Sequence, residues 1–451
     1  MASTFGEITQ ASTALTAARY GLDVVSQNIA NSDTPGYTRQ VAQQGTVDAV
    51  PGVPSIYTAA AGVGGVRITG TARLADAVVD ARLRTEQARD GLASTTSSQL
   101  QQIETVFPEP SDTGLSERLN DFWKAWAPVA NDPKADAARI VLLQDAGTVT
   151  NTLNAMSATL SNQATASAQI LNQDAAAATS AATQLATVNA QIAVASATGL
   201  NENSLLDKRD SLLSTLAGLL GGSATINPNG TADVTVAGQP LVTGGSAVNV
   251  TVDPGYTLAV GGTSVTLTGG SLAAESTALS TTYPAYQARL DAVANALSSV
   301  VNGVQAGGYD LSGTPGTPMF SGSTAATISV SITDPKLVAA SSTAGGTLDG
   351  SNALSASVLG ATSTGPDAAY AALVADIASA SSLAQRQAET QSAVTSSVSA
   401  LQTSISGVST DEEVSAMMTY QRAYQAASRV MTTVDDMLDT LINHTGVVGR
   451  A

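Results

Sequence analysis

Two heptad seams, one near each end of the chain, constrain what this sequence can fold into more than any other feature. From Ile8, small and apolar residues recur at Ala11, Leu15, Ala18, Leu22, Val25 and Ile29 in alternating steps of 3 and 4. At the far end Met417, Tyr420, Tyr424, Ala427, Met431, Val434, Leu438 and Leu441 keep the same alternation. Such spacing holds one stripe of a helix against a partner helix over many turns. Both ends are therefore expected to be helices that lie against other helices. Leu15, Leu22, Val25 and Ile29 on one side and Met417, Tyr420, Tyr424, Met431, Val434, Leu438 and Leu441 on the other form the expected interface. An ordinary intramolecular bundle would produce the same stripes, so the seams alone leave the partner open.

The punctuation around the seams is local chemistry. Thr410 followed by Glu413 spells a capping box, and Asp411, Glu412 and Glu413 sit where a helix dipole favours acids. These acids read as a cap, not as a metal or catalytic cluster. Asn31, Asp33 and Pro35 stop the first helix, and Pro35-Gly36 fits the two central positions of a type II turn. A Gly-, Pro- and Val-rich loop is expected from there to about residue 65.

Between the seams the text is first helical, from about 72 to 220. Leu115, Leu119, Phe122, Trp123 and Trp126 share a face, and the two tryptophans are assigned to a core in preference to a stacking site. Asp132-Pro133 reads as an N-cap with proline at N1, opening a run to Thr198 in which Gly147 is the one candidate break. At 1.5 Å per residue that run is roughly 100 Å long, a rod more than a globule. Asp207, Lys208, Arg209 and Asp210 read as a solvated salt-bridge cluster at the next helix start. From 221 the period changes to two, with Asn229-Gly230 as a hairpin turn before Ala232, Val234 and Val236. Residues 211–365 hold nine charged side chains in 155 positions, which predicts a neutral β module. A helix over 284–305 interrupts it, and helix resumes at Pro366.

The expected fold class is thus α+β and multidomain: a long α-helical coiled-coil or bundle stem formed by both termini, with an inserted β-rich outer domain. The expected division is 1–45 plus 408–451 for the terminal helical domain. The stem takes 46–221 plus 284–306 and 366–407, and the β-rich domain takes 222–283 plus 307–365.

Composition argues against chemistry. With no cysteine and only His444 as histidine, thiolate nucleophiles, Cys-ligated metals and His-pair metal sites are excluded. None of the four lysines follows a glycine, so no phosphate-binding Walker loop exists. No catalytic, cofactor-binding or metal-binding residues are expected. A net charge of −17 repels phosphate backbones, so no nucleic-acid partner is expected. No stretch reaches the ~18 apolar residues of a membrane span, and the start lacks the basic, apolar and small-residue pattern of a cleaved signal peptide. Charged residues are only 12% of the chain, which is not a disordered composition.

The two ends together resemble the bacterial flagellar axial proteins. That family's A-N-x-x-T-P-G-Y signature is matched by Ala30, Asn31, Thr34, Pro35, Gly36 and Tyr37. The continuation Thr38-Arg39-Gln40, the stretch Asn203 to Leu212, and residues 406–443 with Tyr420, Gln421, Tyr424, Ala426 and Arg429-Val430 resemble its hook-associated members. The resemblance implies a structural, non-enzymatic subunit of the hook–filament junction. Its terminal helices would form an inner tube, its β domain would face outward, and the filament could not assemble without it. It implies self-association in a helical or ring-like assembly, with the hook protein below and the next junction protein above. It further implies an export chaperone on the C-terminal helix, and an extracellular location reached without a cleaved signal peptide. A hook or rod subunit, and a secreted adhesin or polysaccharide-binding protein acting through its β domain, are the alternatives.

Overall fold

The structure, a computed structural model, describes residues 4–46, 65–345 and 349–444. The loop expected up to residue 65 and the chain end after His444 fall outside the described residues, as do the side chains of Leu441 and His444.

The two terminal helices, α1 (Thr4–Ala30) and α11 (Thr410–Asp439), lie antiparallel: Asn28 meets Glu413, and Gly21 meets Tyr420 seven residues further along each helix. The heptads supply this pairing. Ala11, Ala18 and Val25 are buried on α1, Ala427 and Val434 on α11, while Ile8, Leu15, Leu22, Ile29, Met417, Tyr420, Met431 and Leu438 are half-buried. Tyr424 departs from the expected seam and stays exposed. The antiparallel β1 (Gln40–Thr46) and β2 (Val66–Arg73) cover the other side of α1, with Tyr20 and Thr71 hydroxyls 2.6 Å apart. This hairpin was not expected, since its strands lie at the two ends of what read as one loop.

The stem begins with α2 (Ala77–Glu104), α3 (Leu115–Lys124), α4 (Trp126–Asn131), α5 (Asp136–Thr198) and α6 (Asn203–Leu220). Continuous through Gly147, α5 runs for 63 residues, or roughly 95 Å. It starts later than the proline suggested: Asp132 uses its side chain to cap Lys134 N at 3.2 Å in a turn, and Ala135 is the N-cap. Alongside α2 runs α10 (Pro366–Ser406), antiparallel, tied by Gln402 to Asp80, Gln391 to Glu86 and Ser381 to Glu104. Trp126, Phe122, Leu115, Leu119 and Tyr370 are among the largest fully buried side chains of the core, and Phe122 packs its ring 4.9 Å from Trp123 and 5.9 Å from Phe320. Both tryptophans are core, as expected.

The β module holds two small antiparallel sheets. One is β3 (Ser223–Ile226), β4 (Ala232–Val236), β5 (Gln239–Thr243) and β6 (Ser246–Ala247); the other is β7 (Val250–Val252), β8 (Leu258–Val260) and β9 (Thr263–Val265). Strands this short do not stand alone. Their inner faces merge with the stem core through Val234, Val236, Leu241, Val260 and Leu258, and α5 clamps their backbones. Asn189 on α5 donates to Ala232 O and Gly244 O at 2.8 Å and accepts from Ala232 N, while Thr179 exchanges two bonds with Val250. Next come α7 (Ser271–Thr277), a π-helical turn and α8 (Tyr283–Gly307).

Residues 308–365, expected as further β structure, are mostly irregular. Among the described residues they hold the two-residue pair β10 (Phe320–Ser321) and β11 (Ser329–Val330), isolated bridges from Tyr309 to Pro315 and Ser341, two short 3-10 turns, and α9 (Ser351–Ser357). The physical reason is burial against helices. Phe320, Ile328, Ile332 and Val338 insert into the stem core, and Asn154 and Arg139 of α5 bind the carbonyls of Ala325, Ile328, Pro335 and Val338 in place of strand partners.

Candidate functional site

The chain's two ends meet at one buried polar junction, and the T-P-G-Y turn builds it. Tyr37 N donates to Thr34 O at 3.1 Å and Gly36 has φ +79°, the type II geometry in which only the third residue must turn left-handed. The turn reverses the chain so that Tyr37, Thr38, Arg39 and Gln40 run back beside the end of α1. Ala30 and Pro35 are exposed at its edge, and Asn31 caps the helix by donating to Gln27 O.

Asn28, 1% exposed, sits at the centre with its four bonding positions filled. Its Oδ1 accepts from Gln40 N at 3.0 Å and from Tyr37 Oη at 2.8 Å; its Nδ2 donates to Gln40 O at 2.8 Å and to Glu413 Oε2 at 3.0 Å. Glu413, also 1% exposed, takes Arg39 Nε at 2.7 Å on its other oxygen, while Arg39 Nη1 reaches Glu412 at 2.6 Å. The expected Thr410–Glu413 capping box does not form: Ser409 is the N-cap, without a side-chain bond, because Glu413 is turned inward to the other chain end. Burial, then the charges of Asp207 and Glu413, hold the Tyr37 hydroxyl above its ordinary range.

The junction extends into the stem through α6. Asn203 donates to Gln40 Oε1 at 3.0 Å, and Arg73 of β2 pairs with Asp207 and Asp210, each at 2.8 Å, and donates to Thr38 Oγ1 at 2.9 Å. The cluster expected to be solvated is therefore largely buried. Only Lys208 points to solvent, and Arg73, arriving from a distant strand, is the partner that no local pattern displays. Burial raises the Asp207 carboxyl above its usual range, against the opposing pull of Arg73 and Thr38.

Sequence periodicity missed Gly21, Asn28, Arg39, Gln40 and Arg73. Two had a signal, since a glycine and an asparagine inside an apolar helix ask for a packing or bonding reason. Gly21 has one: a Cβ there would lie 2.4 Å from the Tyr420 ring.

Along α11 a second set of apolar side chains has no cover. Val414, Met418, Tyr424, Val430 and Met437 are exposed, and Ile442, in the π-helical turn that follows, is 71% exposed. Among the described residues no group of three or more His, Asp or Glu side chains is placed to hold a metal ion, and no helix is long and apolar enough to cross a membrane.

Comparison with known proteins agrees with this arrangement. Three family models match: the helical domain of flagellar hook-associated protein FlgK over 100–320, the flagella basal body rod protein over 8–38, and the FlgEFG basal body rod C-terminal region over 399–444. Flagellar hook-associated protein 1 of Bacillus subtilis is 29% identical over the full length of both chains. That of Salmonella typhimurium is 26% identical over 55% of this chain and 44% of its own length. The flagellar hook junction protein FlgK from Burkholderia pseudomallei shares the fold, with a TM-score of 0.65 at 18% identity over 72% of this chain and all of that one. With rod-type ends joined to a hook-associated helical domain, the chain is similar along its whole length to hook-associated protein 1 of the bacterial flagellum.

Proposed function

We propose that this chain is a structural junction subunit of the bacterial flagellum that polymerises at the distal end of the hook, adapts hook to filament, and is required before filament can assemble. One observation carries the reading. Large apolar side chains on α11 stay uncovered, although α1 already occupies the heptad seam. Apolar side chains left in water beyond a helix's one partner favour a further partner, and repeated heterologous contact between copies gives a helical array. The inner tube would be built from 1–45 plus 408–451. Leu15, Leu22, Val25 and Ile29 would lie against Met417, Tyr420, Met431, Val434 and Leu438 within a subunit, with Tyr424 turned to the neighbour. Leu441 would prolong the seam.

As a flagellar axial protein it assembles with other flagellar components. The specific partners belong to the proposal: hook protein below, the next junction protein above, and an export chaperone on α11 before assembly. Location outside the cell follows from the same role. The FlgK-type domain over 100–320 favours a junction subunit over a hook or rod subunit, whose terminal regions are shared.

The test is electron microscopy of hooks isolated with and without the protein. A short zone at the distal hook end, lost on deletion while hooks persist, is the expected result; hooks that fail to form would refute it. Leu438→Asp places a charge in the half-buried seam and is expected to abolish that zone while the stem keeps its helical circular dichroism.

A further inference from the structure

The Asp207–Asp210 stretch of α6 does more than anchor one strand. Two arginines share Asp210 through its opposite oxygens: Arg73 Nη2 to Oδ2 at 2.8 Å, and Arg209 Nε and Nη2 to Oδ1 at 2.9 and 2.7 Å. Arg73 also holds Asp207 and Thr38, and the remaining arm of Arg209 donates to Gly230 O in the β3–β4 turn. Two arginines here face two carboxylates, with Arg84 near enough to act on Asp210 and Arg209, and the side chains of Arg73 and Arg209 are less than a tenth exposed. It joins three segments remote in sequence. At one end, Thr38 is covalently next to Arg39, which grips Glu412 and Glu413 of α11. At the other, Gly230 is the tip of the first hairpin of the β module.

We propose that Asp210 is a positioning residue that couples the seating of the terminal helices to the placement of the β3–β4 hairpin. With α11 seated, Arg39 is fixed, and Thr38 is held where it completes the shell of Arg73. When α11 leaves, Arg39 loses both carboxylates, and Arg73 loses Thr38. Asp207 then loses the hydrogen bonds it takes from Thr38 and draws harder on Arg73, the guanidinium it shares with Asp210. Buried carboxylates do not tolerate a lost donor, so the cluster rearranges as a unit, and Arg209 is drawn off Gly230. The inference rests on the reading of α1 and α11 as the part that seats in the inner tube.

Hydrogen exchange by mass spectrometry on the full chain tests it, comparing the natural protein with Glu413→Ala, Asp210→Asn and the double variant. Each single change is expected to speed exchange in residues 223–236 about tenfold, with the double no faster than the larger single. Strands β7–β9, held to α5 through Thr179 and not to the cluster, should not respond. Unchanged exchange over 223–236 in Glu413→Ala, or additive effects, would overturn the coupling. If Asp210→Asn loses helix content, Arg209→Lys replaces it. It should speed the hairpin and leave it deaf to Glu413→Ala; a hairpin still responsive refutes the coupling.

Should α1 and α11 lack protection in the free chain, the hairpin must already exchange fast and slow down on hooks; a slow hairpin beside unprotected ends counts against the proposal. Microscopy of hooks reports separately on the assembly reading, so the two can fail independently.

Discussion

Glu275 makes the stem's stability depend on pH in a direction opposite to most carboxylates. It lies on α7, 3% exposed, against Asp174 of α5, which also accepts from Ser271 Oγ at 3.3 Å. Burial, then the charge and hydrogen bond of Asp174, push its carboxyl up to about 8 from the ordinary 4.5. The folded chain therefore binds a proton at pH 7 that the unfolded chain releases. The group's contribution is greatest below 4.5 and is lost as pH rises through 8. At 1.36 kcal/mol per pH unit, the whole loss is roughly 5 kcal/mol, of which roughly 4 falls between pH 5 and pH 9. Glu275→Gln keeps the shape and a donor for Asp174 while removing the ionisation. Urea unfolding followed by far-ultraviolet circular dichroism at pH 5, 7 and 9 should show the variant gaining on the natural chain by roughly 4 kcal/mol across that range. Asp207 and Asp367, also raised by burial, are present in both proteins and cancel in the comparison. Parallel pH profiles, with the difference changing by less than about 1 kcal/mol, would mean that Glu275 is ionised in the fold and that the burial argument is wrong.

Other substitutions probe the packing. Gly21→Ala puts a methyl into the Tyr420 ring and should weaken pairing of α1 with α11 by about 1–3 kcal/mol, seen as reduced binding to isolated hooks; adding Tyr420→Ala should restore part of it. Phe122→Ala empties the site between Trp123, Trp126 and Phe320 and should cost about 3–5 kcal/mol in urea unfolding, with a smaller effect arguing that the core collapses around it.

What the sequence made legible was whatever is written within a few turns of chain. The terminal seams, the Pro35-Gly36 turn, the tryptophan core and the alternation at Ala232, Val234 and Val236 all depend on neighbours three, four or two residues away, and all are present. Features set by distant partners were not. Glu413 looks like a cap until Arg39 and Asn28 reach it from the other end of the chain. Asp207 and Asp210 look solvated until Arg73 arrives on a strand whose own partner, β1, lies well before it in the chain. Residues 308–365 have the composition of strands, yet their polar backbone is satisfied by Arg139 and Asn154, and no alternation of side chains reveals that.

The clamps along α5 also make that helix a ruler. Arg139, Asn154, Thr179 and Asn189 each hold a different loop or strand, and all four must face their targets at once. Deleting one residue between any two of them would rotate everything beyond by about 100° and draw it in by about 1.5 Å, unhooking the later clamps together. Removing eighteen residues, five whole turns, would restore the azimuth and shorten the stem by about 27 Å. Loops at the tips of the β module other than those held at Gly230 and Gly244 carry no such restriction. Changes in reach among relatives should therefore occur as insertions in those loops or as whole-turn steps in the long helix, and single-residue gaps within it should be absent.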